Sequence, residues 1–522
     1  MARQMTARFR IFVIILGSIY FTGLYFFHKG QHQDDNAMSN ESMERREALQ
    51  IINQKFDQIK LENKEKKMLL GPYKFRRQLN TSLVKTQRVN IAAVGNNNIV
   101  QQNAKHDNVI ETAKNNDLTN NKYIEDPETD NKAKNYANPT CHSQNKHLPI
   151  ERFVPLSDQY DKTEVWVYSA YLDSRKSEAA FIRMMVLANI KTKPRHKIIC
   201  EFEEDLTVEG IYYELCENHR KTYGGFIISC PVPASLNHTP CNINVYITKH
   251  YGHVGKKVKI PIYSTEILPQ RDDFGICVPP LFGNIDKHRL IEFIEMSLII
   301  GATKFVFYDY NLTPEIKNVL DYYTQRGVVD LVKWHLPVDG RAVYYKGQIL
   351  AVNECLYREM ASLRYVAFHD IDELIVPRQH EDVPSMMSEL AVDDNVAFCL
   401  ESAFYDPGHN PKFQSTQLIS LQHRTRTIQY HKVRRKCIVE PRKIFEQGIH
   451  HISKQNEEYY QIIKLDPDIA ILHHYRKCMR DFGMNCDKFV NDNWIDKYSQ
   501  QLEHNFNIAL TDINRSPFKV FI

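Results

Sequence analysis

An apolar run in this chain, Arg364-Tyr365-Val366-Ala367-Phe368-His369, ends in Asp370-Ile371-Asp372-Glu373-Leu374. Carboxylates two residues apart at a strand end point the same way and can converge on one hard cation. Such a cation can carry a diphosphate, because it offsets charge on the departing phosphate oxygens. The sequence has no Walker loop and no G-x-G-x-x-G, so a metal has to take the place of a glycine cradle. A phosphatase of the D-x-D-x-T/V type is the competing chemistry, and Leu374 stands where that pattern needs Thr or Val. A bare Asp-x-Asp also describes an ordinary solvated strand end. The elements around it must decide.

Those elements alternate. A short strand at 276–278 precedes a helical face of Leu290, Ile291, Ile294 and Leu298 that Gly301 closes. A buried strand at 304–308 ends at Asp309, and Thr313-Pro314 opens the next helix with an N-cap and a proline at the first helical position. Gly327 stops that helix, a strand follows at 328–334, then a helix at 348–360 and the strand at 365–368. Strands alternating with amphipathic helices predict an α/β fold with a parallel, Rossmann-like sheet, whose ligands bind beyond the carboxyl ends of the strands. The carboxylate pair lies at that edge. Residues 150–272 read differently: short strands at 165–168, 245–247 and 258–263, with four cysteines among them, predict a disulfide-braced β-rich module ahead of a catalytic domain at 273–522.

The N-terminal portion is of another kind. Arg3, Arg8 and Arg10 in a short tail, 1–10, precede the uncharged run 11–27. As a helix that run spans about 25 Å at ~1.5 Å per residue, adequate for a thin secretory-pathway membrane. The basic tail orients it as a signal anchor with the rest of the chain luminal. Residues 28–149 are polar and lack a sustained apolar period, which predicts a disordered stem. Eleven cysteines without a C-x-x-C pair fit an oxidising compartment, with several disulfides and at least one unpaired thiol. Asn40 and Asn80 are the better N-glycan acceptors. With 67 basic against 63 acidic residues the net charge is +4, so nucleic acid is not an expected partner.

Several segments in order, Val278-Pro279-Pro280-Leu281-Phe282-Gly283, the helix and strand at 292–309, Asn353-Glu354-Cys355-Leu356 and the run from Phe368 to Leu374, resemble glycosyltransferase family 92. The resemblance implies a GT-A-like catalytic domain and a Golgi membrane protein of type II topology. It also implies inverting transfer of galactose from UDP-galactose, with Mn²⁺ or Mg²⁺, in β-1,4 linkage to core fucose of N-glycans. Asp370 and Asp372 are then the metal pair, oriented by Glu373. His474, in Ile471-Leu472-His473-His474-Tyr475-Arg476, is the preferred third ligand and His473 the fallback; a surface histidine pair is the plain alternative. Lys436, in a basic segment that Gly448-Ile449-His450 follows, is the candidate cation for the diphosphate, though basic clusters are commonly solvated faces. Pro279, Asp309 and Asn353 are candidates for uracil and ribose, Asp309 equally for a turn. Glu401 and Asp406, after a strand at 396–400, are candidates for the general base that inversion requires. A non-catalytic, membrane-anchored lectin or scaffold is the competing class.

Overall fold

The computed structural model describes residues 152–515, apart from 157–163, 177–178, 192–196, 204–205, 237, 249–253, 393 and 410–415. Its largest sheet begins with strands and helices in alternation: β1 (Asp272–Leu281), α1 (Lys287–Ile299), β2 (Lys304–Asp309), α2 (Pro314–Gln325), β3 (Val329–Lys333), α3 (Gln348–Arg358) and β4 (Leu363–Phe368). The four strands pair in parallel in the order β3-β2-β1-β4. Phe274, Ile276 and Val278 of β1 face one core with Phe305 and Phe307 of β2, while Cys277, Val306 and Tyr308 face another. Burial on both faces is why these strands read as continuous apolar runs.

The helix boundaries follow local chemistry. Asp286 caps α1 by accepting from the His288 amide, and Gly301, at φ +92°, turns the chain after it. Thr313 caps α2 by accepting from the Ile316 amide, with Pro314 in the first turn.

Beyond β4 the sheet departs from the expected parallel arrangement. The turn at 369–372 is too short for a helical crossover, and the strand it leads into, β5 (Glu373–Pro377), pairs not with β4 but with the strand Ala470–His474. Four more strands follow: β6 (Asn395–Phe404), β7 (His431–Val439), β8 (Gln461–Lys464) and β9 (Ala470–His474). The order continues β4-β7-β6-β9-β5, with β8 beside β6, giving a nine-stranded mixed sheet. β7 is antiparallel to both β4 and β6, whereas β9 is parallel to β6 and antiparallel to β5. A last helix, α4 (Ser499–Arg515), covers α1 through Leu502 and Phe506.

Residues 154–264 form two sheets packed around Val167, Ile182, Val186, Ile198 and Val245, and Cys200–Cys230 ties one to the other. The outer face of the first sheet, through Tyr168, Tyr171, Met185 and Leu187, shares a core with Leu350, Ala351 and Leu356 of α3. Charge is buried there only where it is paired. Glu354 of α3 accepts from Tyr171 and Tyr308 and pairs with Arg358, and Asp173 pairs with Arg175 and Arg183. This β-rich portion therefore backs the helix that precedes the carboxylate strand.

Three further disulfides brace the sheet region: Cys277–Cys355 joins β1 to α3, Cys399–Cys437 crosses from β6 to β7, and Cys478–Cys486 closes a loop after β9. Cys216 is a free, exposed thiol, so several disulfides with an unpaired cysteine is what is found. The expected anchor at 11–27, the stem at 28–149 and the acceptors Asn40 and Asn80 lie outside the described residues. Among the described residues no helix is long and apolar enough to cross a membrane.

Candidate active site

The carboxylate turn is held from within and from across the sheet. Glu373 donates its amide to the Asp370 carbonyl at 3.1 Å, and the Asp370 amide donates to the Glu373 carboxylate at 3.0 Å. The Tyr475 amide adds a 2.8 Å bond to the Asp372 carbonyl, which fixes the turn against the end of β9. Register then decides what faces it. Glu373 lies opposite His474 and Leu374 opposite His473 in the antiparallel β5–β9 pair.

Adjacent residues of a strand face opposite sides, and here that separates the two histidines. His473 is buried with Nε2 2.9 Å from the Tyr405 hydroxyl and Nδ1 3.0 Å from that of Tyr475, so both nitrogens are taken. His474 has no hydrogen-bond partner at either ring nitrogen. Its Nε2 is 3.5 Å from Asp372 Oδ2 and its Nδ1 is 3.6 Å from Glu373 Oε1, charge contacts wider than a good hydrogen bond. The preferred ligand stands at the carboxylates, and the fallback belongs to the core.

Lys436, on β7, is buried with its ammonium 3.4 Å from both Asp370 and Glu373. It neutralises the carboxylates, rather than standing free for a diphosphate as the sequence led one to expect. Burial lowers the affinity of its amine for a proton, but Asp370 and Glu373 outweigh that and raise its pKa. Burial likewise raises Glu373, against the opposing pull of Lys436 and His474. Asp372 goes the other way: burial pushes it up, but His474, then Arg476 and Arg289, hold it at about 2.

A buried imidazole with no hydrogen bond at either nitrogen, in charge contact with Asp372 and Glu373 and lining one cavity with Asp370, offers with the aspartates the oxygen and nitrogen donors that Mn²⁺ or Mg²⁺ accepts. The residues fit such an ion in kind. Asp370, Asp372 and His474 do not bring one ligand atom each within 4.8 Å of one another. The Asp370 side chain, 44% exposed, is the arm with room to close.

These groups line a cavity of about 380 Å³, within the ~300–1,000 Å³ usual for small-molecule sites. Arg289, Arg434 and Arg476 line it too, as do Phe282 and Tyr345. Arg289 donates to the Tyr475 carbonyl at 3.1 Å, and Arg434 pairs with Asp481 at 2.7 Å. Tyr345 and Lys346, both at positive φ, turn the chain past the cavity ahead of α3. A neighbouring cavity of about 650 Å³ shares Arg289 and Arg476.

The remaining sequence candidates are placed elsewhere or are engaged. Pro280 and Leu281 form the wall, not Pro279. Asp309 accepts from the Leu312 amide and pairs with Lys317, which makes it a turn residue. Asn353 is buried, donating to the Ile349 and Gln447 carbonyls and accepting from the Gln447 amide. Glu401 lies inside β6 rather than after it and is paired with Arg435 and Lys464. Asp406 accepts from the Gly408 and Cys478 amides but does line the neighbouring cavity. Sequence reasoning assigned no role to Arg289, Tyr345, His450 or Arg476. His450, half-buried and kept neutral by desolvation and by Lys436 and Arg434, lines the cavity with its Nδ1 without a hydrogen bond.

The chain is 28% identical over 319 residues to the β-1,4-galactosyltransferase galt-1 of Caenorhabditis elegans, covering 60% of this chain and 74% of that protein. It is 30% identical over 138 residues to the galactan β-1,4-galactosyltransferase GALS1 of Arabidopsis thaliana, covering 26% of this chain and 27% of that one. It is 24% identical over 252 residues to GALS3 of the same plant, covering 46% and 48%. The sequence model of glycosyltransferase family 92 matches residues 272–510, which span β1 to α4 and both aspartates. Residues 272–510 of this chain are a glycosyltransferase family 92 domain.

Proposed function

We propose that this chain is an inverting, metal-dependent β-1,4-galactosyltransferase of the GT-A type, which transfers galactose from UDP-galactose to core fucose of N-glycans. In this reading residues 11–27 anchor it in the Golgi membrane and 28–149 are the stem that presents residues 150–522 to the lumen. The observation that carries the proposal is His474: an imidazole with both nitrogens unpartnered, facing Asp372 at the wall of a cavity lined by arginines. The relatives named as β-1,4-galactosyltransferases support galactose and the linkage.

Asp370, Asp372 and His474 would hold Mn²⁺ or Mg²⁺, which supplies positive charge to a diphosphate leaving group. Arg289 and Arg476 add charge to the same oxygens, while Phe282 and Tyr345 offer aromatic faces to the uracil. Glu373 and Lys436 hold the turn in place behind the aspartates. Of the two base candidates, Asp406 alone lines the cavity next door, where an acceptor hydroxyl can approach.

A donor-by-acceptor panel run with the purified chain tests this. Transfer from UDP-galactose to a fucosylated N-glycan core, lost in excess chelator, is the expected result. Full activity in chelator would remove the metal from the account, and a folded protein inactive across the panel would favour a glycan-binding role.

A further inference from the structure

Outside the cavity, two segments distant in sequence are drawn together by hydrogen bonds. Strand Ile211–Glu214 and the turn after it belong to the β-rich portion, whereas 444–455 form a hairpin beside α3. The Cys216 amide donates to Glu446 Oε1 at 2.7 Å, Tyr213 donates its hydroxyl to Glu446 Oε2 at 2.6 Å, and the Ile449 amide donates to Glu217 Oε2. At the open end of this seam Cys216, Glu217 and His451 each bring a ligand atom within 4.8 Å of the others.

We propose that Cys216, Glu217 and His451 form a binding site for a divalent cation of the zinc class, which clips the 448–451 loop to the β-rich portion. Thiolate, imidazole and carboxylate together select zinc over the harder Mn²⁺ or Mg²⁺. Ligands at ~2.0–2.3 Å from a tetrahedral zinc stand roughly 3.3–3.8 Å apart, so atoms already within 4.8 Å of one another need to close by no more than about 1.5 Å. Ser453 Oγ sits between them, 2.9 Å from Cys216 Sγ and 3.3 Å from His451 Nε2, and marks the side on which a fourth ligand or a water completes the shell. Cys216 is also the free thiol among the described residues, and ligation keeps such a thiol from oxidising where its neighbours are disulfides.

The clip has a consequence for the cavity. Ile449 and His450, inside the clipped loop, line the cavity that holds Asp370 and His474. Tying residues 217 and 451 together holds that wall whether or not a nucleotide sugar binds there.

The experiment uses the full chain with its disulfides intact, Cys216 as the free thiol among the described residues, and metal alone. Zn²⁺ uptake is measured after dialysis, Co²⁺ is titrated for a sulfur-to-cobalt charge-transfer band, and Cys216 is labelled with a maleimide with and without Zn²⁺. The wild type is expected to retain about one zinc more per chain than Cys216→Ser, to show the sulfur band, and to be protected from the maleimide by Zn²⁺. His451→Ala, checked by thermal melt for folding, should lose zinc affinity by at least the ~10–100-fold that even an outer partner of a metal costs. Equal zinc uptake by wild type and Cys216→Ser, or maleimide labelling indifferent to Zn²⁺, overturns the proposal. So does a Cys216-linked dimer that forms equally in the presence of Zn²⁺. The band and the labelling report the thiol, so zinc bound at Asp370, Asp372 and His474 cannot imitate either.

Discussion

On either side of the seam between β4 and β7, the two halves of the large sheet hold charge differently. The central residues of strands β1, β2 and β4 are apolar on both faces, and the aspartates that line the cavity, Asp370 and Asp372, lie in the turn beyond β4. Strands β7 and β9 instead carry Lys436 and His474 within the strands, both buried. A turn carboxylate such as Asp370 costs little packing and has room to move, whereas a strand-borne cation is fixed by its ladder and its neighbours. The site is thus an adjustable acidic turn set against a rigid basic wall, and each half can be broken separately.

The largest effect should come from the wall. Lys436→Met leaves Glu373 buried without its counter-ion, which typically costs about 3–5 kcal/mol, read as a lower denaturant midpoint. Adding Glu373→Gln should restore part of that loss. A single-variant cost below ~1 kcal/mol would mean that the wall does not depend on the pair.

The acidic turn should answer the other way, in rate and not in stability. Asp370→Asn removes the charge of a half-exposed carboxylate and leaves Lys436 its pairing with Glu373, so turnover should fall by on the order of a hundredfold or more while the unfolding free energy stays within about 1 kcal/mol. A folded variant with wild-type turnover would take the turn out of the chemistry.

The adjacent histidines sharpen the comparison within one strand. His473→Phe strips partners from the Tyr405 and Tyr475 hydroxyls and should cost roughly 1–3 kcal/mol of stability while sparing metal-dependent UDP binding. His474→Phe should do the reverse. Equal effects of the two on UDP binding would contradict the division of faces.

Acid should expose the smallest of these differences. Burial keeps His369 neutral at about 4 and His473 at about 3. Below the ordinary histidine pKa of ~6.5 the unfolded chain takes up protons that these folded imidazoles refuse, so stability falls as pH falls, by up to about 1.4 kcal/mol per pH unit for each group. Above ~7 neither contributes. Urea unfolding between pH 7 and pH 5 reads this slope, and a flat profile would show that neither ring is held neutral.

Legibility in the sequence follows the same division. Thr313-Pro314, Gly301 and Gly327 mark helix limits by chemistry confined to a few residues, and β1 to β4 read correctly for that reason. Asp370 and Asp372 were visible because a strand end is a local pattern. The mixed half depends on pairing between distant segments, so neither β5 nor the order β7-β6-β9 was readable, although Leu374-Ile375-Val376 is a strand-like run. Lys436 was singled out and its partners were not, since only the β4–β7 pairing brings it to Asp370. Asn353 and Asp309 stood at plausible positions, but their hydrogen bonds go to backbone and Lys317, which no spacing rule reveals. Cys216 and His451 share no sequence pattern at all. Their meeting is a product of the seam.

The central claim is that the turn and the wall close on one cation and a diphosphate, and titration of UDP by calorimetry with and without Mn²⁺ tests it most directly. The wild type is predicted to bind UDP at least tenfold more tightly with Mn²⁺, a gain of about 1.4 kcal/mol. His474→Ala should remain folded and lose that gain. UDP binding indifferent to Mn²⁺ in the wild type, or a full Mn²⁺ gain retained by His474→Ala, would contradict it.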